Sequence, residues 1–300
     1  YGASATAAHL ISPKSRGLFH KAILHSGFAL VDLPAEAWYP GLGALPWLAW
    51  RDTAEIEAIG SAVAAELGCA DLACLRALPA ARVLDHPQVM NIFQPVGYGN
   101  EELPALPADA FPAGDFARVP VLAGNTRDEH RGIVELFRGP VTAEEYPALL
   151  AAAFGDRAAE VAREYPVSAF GDPARAWAAV LTDRMWARAT FRQHVALSAH
   201  TPTYAFEFAD PAASPQGASH GADIGYLFPD EPPTGGRGEL SDAMIRYWTD
   251  FARTGDPNGD SGLPPWPPFA EGRHVQSLAP GAIGGVDYRA GHRLDFWEAG

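Results

Sequence analysis

The stretch Val119-Pro120-Val121-Leu122-Ala123-Gly124-Asn125-Thr126-Arg127-Asp128-Glu129-His130 passes from an apolar run directly into polar, titratable residues. A short apolar run without alternation is the pattern of a strand covered on both faces of a parallel sheet, and the polar residues mark where its loop begins. Two other segments, the second of them alternating, also lead from a strand-like stretch into a loop. Upstream, Gly17-Leu18-Phe19-His20-Lys21-Ala22-Ile23-Leu24-His25-Ser26-Gly27 contains an apolar run closed by Ser-Gly. Downstream, Tyr204-Ala205-Phe206-Glu207-Phe208 is rich in β-formers and leads to a loop holding Ser219-His220-Gly221-Ala222-Asp223.

Helical stretches separate these strands. The small residues of Tyr1 to Leu10 suit a helix pressed against a sheet, and Thr53 to Leu67 carries Ile56, Ile59 and Val63 on one face, with Gly68 at its stop. Thr142 and Glu145 have capping-box spacing, Arg175 to Leu197 is the longest helical stretch, and Ser241 begins a helix that Gly255 closes. Residues 28–50, with Trp38, Trp47 and Trp50, read as loop. Strands alternating with helices predict an α/β domain with a mainly parallel sheet, whose chemistry collects at the carboxyl ends of its strands.

Composition narrows the function classes. The 300 residues are 48% hydrophobic and 19% charged, enough for a sizeable core and unlike a disordered chain. Thirty-six acidic residues against 22 Lys and Arg give a net charge of −14, which repels phosphate backbones and anionic lipid surfaces. No apolar run reaches the ~18 residues of a membrane span. Neither an internal repeat nor a linker-like shift in composition divides the chain, so residues 1–300 read as part of one domain.

The acid and the histidine at neighbouring strand ends suggest nucleophilic catalysis. A neutral imidazole is a general base near pH 7, and a carboxylate on its other ring nitrogen fixes the tautomer and stabilises the imidazolium. Three serines are candidates for the nucleophile. Nothing after Ser26-Gly27 resembles a helix start, and Ser219 is too close in sequence to His220 to point at the same ring. Ser4 in Gly2-Ala3-Ser4-Ala5-Thr6 has Thr6 where Gly-x-Ser-x-Gly requires its second glycine, and as readily suits a small helix residue packed on the sheet.

The ordered motifs resemble the type-B carboxylesterase and cholinesterase-like family of α/β-hydrolases. His9-Leu10-Ile11-Ser12-Pro13-Lys14-Ser15-Arg16-Gly17-Leu18-Phe19 and His25-Ser26-Gly27 resemble the family's segment after its nucleophile elbow, where Gln-Ser-Gly is usual. Gly124 to Glu129 resembles the acid loop and Ser219 to Asp223 the histidine loop. Trp248-Thr249-Asp250-Phe251-Ala252-Arg253-Thr254-Gly255-Asp256-Pro257-Asn258 with Trp266-Pro267 is the most family-specific stretch, and Asp295-Phe296-Trp297 resembles the C-terminal signature. Two departures stand out: His130 follows the acid where glycine is usual, and Leu294 stands where cysteine is common.

The resemblance implies an α/β-hydrolase fold acting on small-molecule esters without metal or cofactor. His220 would be the general base, Glu129 the triad acid and the backbone N–H of Tyr1 an oxyanion donor, while Asp128 is structural. His9, His20, His25, His130 and His194 receive no role. Tyr1-Gly2 match the last two elbow positions, so the nucleophilic serine is expected just before Tyr1. The oxyanion loop and the first strands of the sheet would lie further upstream, and residues 1–300 would be the inactive C-terminal portion of one hydrolase domain. Cys69 and Cys74 match a cysteine-closed loop; a disulfide there would indicate an oxidising, secreted setting, although two free thiols in a cytosolic protein give the same sequence. The alternative function is a catalytically dead relative that binds partners through its surface.

Overall fold

The computed structural model describes residues 1–87, 95–260 and 262–299. In chain order its strands are β1 (Ala22–His25), β2 (Trp50–Asp52), β3 (Val96–Tyr98), β4 (Val121–Thr126), β5 (Thr203–Phe208), β6 (Val275–Leu278) and β7 (Gly284–Gly285). Five form the main sheet in the order β1-β4-β5-β6-β7. All neighbours are parallel except β6 and β7, with Ala22 opposite Val121, Val121 opposite Thr203 and Ala205 opposite Val275. Every residue of β4 and β5 is buried, as central strands with both faces covered require.

Alternate residues of these strands feed different cores. Val121 and Ala123 join the cluster containing Trp177 and Trp186, whereas Leu122, Phe206 and Phe208 join one containing Phe251 and Trp266. Two glycines permit the close approaches that bring the loops together. A Cβ on Gly124 would lie 2.1 Å from the Phe206 carbonyl oxygen, and one on Gly27 would lie 3.1 Å from the Ala3 Cβ. The second contact presses the first turn of α1 (Gly2–Ile11) against the chain leaving β1.

Several expected elements are present. Helix α2 (Thr53–Glu66) is capped by Asp52, whose carboxylate accepts from the Ala54 N–H, and the Cys69–Cys74 disulfide closes the turn between α2 and α3 (Leu72–Ala77). Helix α4 (Glu145–Phe154) begins with the reciprocal Thr142–Glu145 bonds. The long helical stretch is continuous as α5 (Pro173–Leu181), a π segment (Thr182–Ala187) and α6 (Arg188–Ser198).

Other elements differ from expectation. Helix α7 (Gly236–Thr254) starts before Ser241, because the Ser241 hydroxyl donates to the Tyr226 carbonyl at 2.6 Å instead of capping the helix. Strands β6 and β7 extend the three expected strands to five, and residues 50–52 and 96–98 form the small parallel β2–β3 sheet. Among the described residues no helix is long and apolar enough to cross a membrane.

Candidate active site

Glu129 lies in the turn that follows β4 and is wholly buried. Its Oε1 accepts from the Thr126 N–H at 2.7 Å and from the Ser26 hydroxyl, while Oε2 accepts from His220 Nδ1–H at 2.6 Å. The His220 backbone N–H also donates to the Glu129 carbonyl at 3.3 Å. A carboxylate held on both oxygens fixes the imidazole plane and tautomer, and the proton on Nδ1 leaves Nε2 as the basic nitrogen. The acid is enclosed, but 38% of the His220 side chain is accessible, so the imidazole can meet a reactant.

Electrostatics favours the same assignment. Burial pulls the His220 pKa down, but the hydrogen bond and charge of Glu129, followed by the charge of Asp223, outweigh it and hold the group above its ordinary 6.5. The amino group of Tyr1 is close enough to oppose protonation of the same ring. Tyr1, at the start of α1, packs on Phe28, whose ring lies 6.4 Å from that of His220.

The two loops are laced together by Asp128. The Ala218 N–H donates to Asp128 Oδ2 at 3.2 Å, the Asp128 N–H donates to the Ala218 carbonyl at 2.9 Å, and Arg131 pairs with the carboxylate at 2.9 Å. Gly217 is needed here: its φ is +77° and a Cβ would lie 2.6 Å from Asp128 Oδ2. Asp128 thus sets the distance between the Glu129 and His220 loops, the structural part expected of it.

The other serines do not meet the imidazole. Ser4 is buried and its hydroxyl oxygen accepts from the Phe28 N–H at 3.2 Å, while Ser219 shares a hydrogen bond with the Ser214 hydroxyl at 3.0 Å. Ser26 instead turns to Glu129, aided by a left-handed φ of +50°. The sequence presents Ser26 only as a candidate nucleophile, not as the second donor to Glu129 Oε1. Its place directly after a strand, level with the acid loop, was the available signal.

Two histidines given no role are also built into the site. His130 adopts φ −89°, so the turn accepts a Cβ where glycine is usual. Its buried ring receives the Trp186 Nε1–H on Nδ1 at 3.0 Å and gives Nε2–H to the Ala37 carbonyl at 2.8 Å. Burial lowers its pKa to about 4, which keeps it neutral, as both bonds require. His25, at the end of β1, gives Nδ1–H to Asp223 at 2.5 Å and accepts the Trp248 Nε1–H on Nε2 at 2.8 Å.

Aromatic rings wall one side of the imidazole. Trp186 lies 5.0 Å and Phe28 6.4 Å from the His220 ring between centroids, with Tyr1 and Trp38 packed on Phe28 at 5.5 and 6.0 Å. Trp38 therefore belongs to this wall, whereas Trp50 is a buried packing residue whose indole donates to the Ala29 carbonyl.

Comparison with known proteins gives a consistent outcome. A family model described as the carboxylesterase family matches residues 1–297. Pyrethroid hydrolase Ces2a of Mus musculus is 29% identical, covering 99% of this chain and 55% of its own length. Cocaine esterase of Homo sapiens is 27% identical over 99% of this chain and 56% of its own. Fumonisin B1 esterase of Sphingopyxis macrogoltabida is 34% identical over 89% of this chain and 50% of its own. The chain spans about half the length of these relatives.

Proposed function

Because the chain belongs to the carboxylesterase family, we propose that it supplies the base and acid of a serine carboxylic-ester hydrolase. The observation that carries this reading is the 2.6 Å bond from His220 Nδ1 to a fully buried Glu129, with Nε2 left to act. The nucleophile would be a serine whose hydroxyl reaches Nε2. In the family pattern that residue immediately precedes Tyr1, whose ring packs on Phe28 beside the His220 imidazole.

Nε2 of His220 takes the proton from the serine hydroxyl as the oxygen attacks the ester carbonyl. The backbone N–H of Tyr1 is one donor to the resulting oxyanion. When the intermediate collapses, the carbon–oxygen bond to the alcohol breaks and the His220 imidazolium returns its proton to the departing oxygen. A water molecule repeats the sequence on the acyl-enzyme, releasing the carboxylic acid and restoring the serine. Throughout, the Glu129 carboxylate stabilises the imidazolium without taking its proton.

Small-molecule esters are the proposed substrates. The relatives named pyrethroid hydrolase, cocaine esterase and fumonisin B1 esterase support that class, and the Trp186–Phe28 wall suits an apolar group beside the ester. The test is to express the chain together with the coding sequence preceding Tyr1 and treat it with a fluorophosphonate. The expected result is one labelled serine directly before Tyr1, with labelling abolished in His220→Ala. Absence of label, or label unaffected by His220→Ala, would remove the proposal.

A further inference from the structure

Three residues after His220, Asp223 is almost completely buried and anchored to an element far away in sequence. His25 Nδ1 lies 2.5 Å from Asp223 Oδ2, and the indole N–H of Trp248 on α7 lies 2.8 Å from His25 Nε2. An indole nitrogen can only donate. Nε2 must therefore carry the lone pair and Nδ1 the proton, so a neutral His25 donates to the Asp223 carboxylate. The next residue of β1, Ser26, donates to Glu129. The end of β1 thus holds the histidine loop through one side chain and the acid through the next.

We propose that Asp223, clamped by His25 and Trp248, is a positioning residue for His220. It fixes the turn that carries the imidazole and presents a second negative charge to the imidazolium. This rests on the reading of His220 as the base, which it deepens. The turn is short: the Ala222 N–H donates to the Ser219 carbonyl at 2.9 Å, and the Ile224 N–H to the Gly221 carbonyl at 3.2 Å. A shift of the Asp223 anchor would therefore pass directly to His220. The charged and titratable groups acting on His220 are Glu129 and His130 from the β4 loop, Asp223 from its own loop and the Tyr1 amino group from α1. Of these, only the two carboxylates favour the protonated form, so loss of the Asp223 charge has a defined sign. His25 occupies the position where the family usually has glutamine, which can also donate to Asp223 and accept from Trp248.

The test is an NMR titration of the His220 ring in the 300-residue chain labelled on histidine. Asp223→Asn should move the His220 midpoint to lower pH, and His25→Leu should move it in the same direction by less. His25→Gln should restore the original midpoint, which a packing role alone would not produce. Glu129→Gln is the reference and should lower the midpoint most. If Glu129→Gln moves His220 but Asp223→Asn and His25→Leu leave it unchanged, the positioning role is overturned while the base assignment stands. If Glu129→Gln also has no effect, the base assignment itself fails. Should Asp223→Asn not fold, as judged by circular dichroism, the His25→Leu and His25→Gln pair decides.

Discussion

Ser26 illustrates how much of a buried carboxylate's environment is set by one neighbouring hydroxyl. Glu129 Oε1 has two donors, the Thr126 N–H and the Ser26 hydroxyl, and no access to water. A hydrogen bond to a charged buried group contributes roughly 1.5–3 kcal/mol. In the proposed hydrolase, Ser26→Ala should therefore lower kcat about tenfold or more, with KM little changed, because the lost bond would act on an imidazolium stabilised in the transition state. Steady-state kinetics on an activated ester measures both. An equal rise in KM with unchanged kcat would show that Ser26 acts on substrate binding instead. His130 makes a complementary case. His130→Ala removes two buried hydrogen bonds and leaves a hole behind Trp186, so the urea midpoint should fall by the equivalent of about 2–4 kcal/mol.

At the scale of elements, the least legible parts of the sequence are those made by long-range pairing. Strands β1 and β4 show as apolar runs and β5 as an alternating run of β-formers, and the meeting of Glu129 with His220 is expected from the polar loops that follow β4 and β5. Val275-Gln276-Ser277-Leu278 has no such run; it becomes a strand because β5 offers it an unpaired edge. His25 and His130 carry no local signal at all, since their partners, Asp223 and Ala37, are set by the fold. The same holds for His292, which joins the C-terminal segment to the sheet. Its Nδ1 lies 2.6 Å from Asp183 in the π segment and its Nε2 2.5 Å from Glu207 on β5, all three side chains being buried. Both ring nitrogens face carboxylates, which calls for the imidazolium. Although burial alone would lower it, the two carboxylates raise its pKa to about 10. His292→Leu would leave two buried carboxylates without their shared cation, a loss of about 3–5 kcal/mol in stability. Urea denaturation at pH 7 measures this, and a loss below about 1 kcal/mol would mean that Arg293 and Arg127 already neutralise the pair.

For the molecule as a whole, these histidines predict opposite limits on stability. His292, raised to about 10 in the folded state against an ordinary 6.5, stabilises fully below pH 6.5, and that contribution is lost as pH rises through about 10. His130 and His194 behave in the reverse sense. Burial lowers both to about 4, and His194 donates from Nε2 to the Ala123 carbonyl with its Nδ1 unpaired in the core. The unfolded chain gains their protons as pH drops below 6.5 while the fold does not, so stability falls between about 6.5 and 4 by on the order of 3 kcal/mol for each ring. A net charge of −14 adds self-repulsion that grows towards alkaline pH and steepens the same side as His292. Unfolding free energy measured at closely spaced pH values should therefore peak near neutrality. The two arms are separable by substitution: His292→Leu should flatten the alkaline arm, and His130→Ala the acid one, each lowering stability across the range while leaving the slope of the opposite arm unchanged. An acid arm that keeps its full slope in His130→Ala and in a corresponding His194→Asn variant would assign acid sensitivity to the carboxylates rather than to the two buried neutral imidazoles.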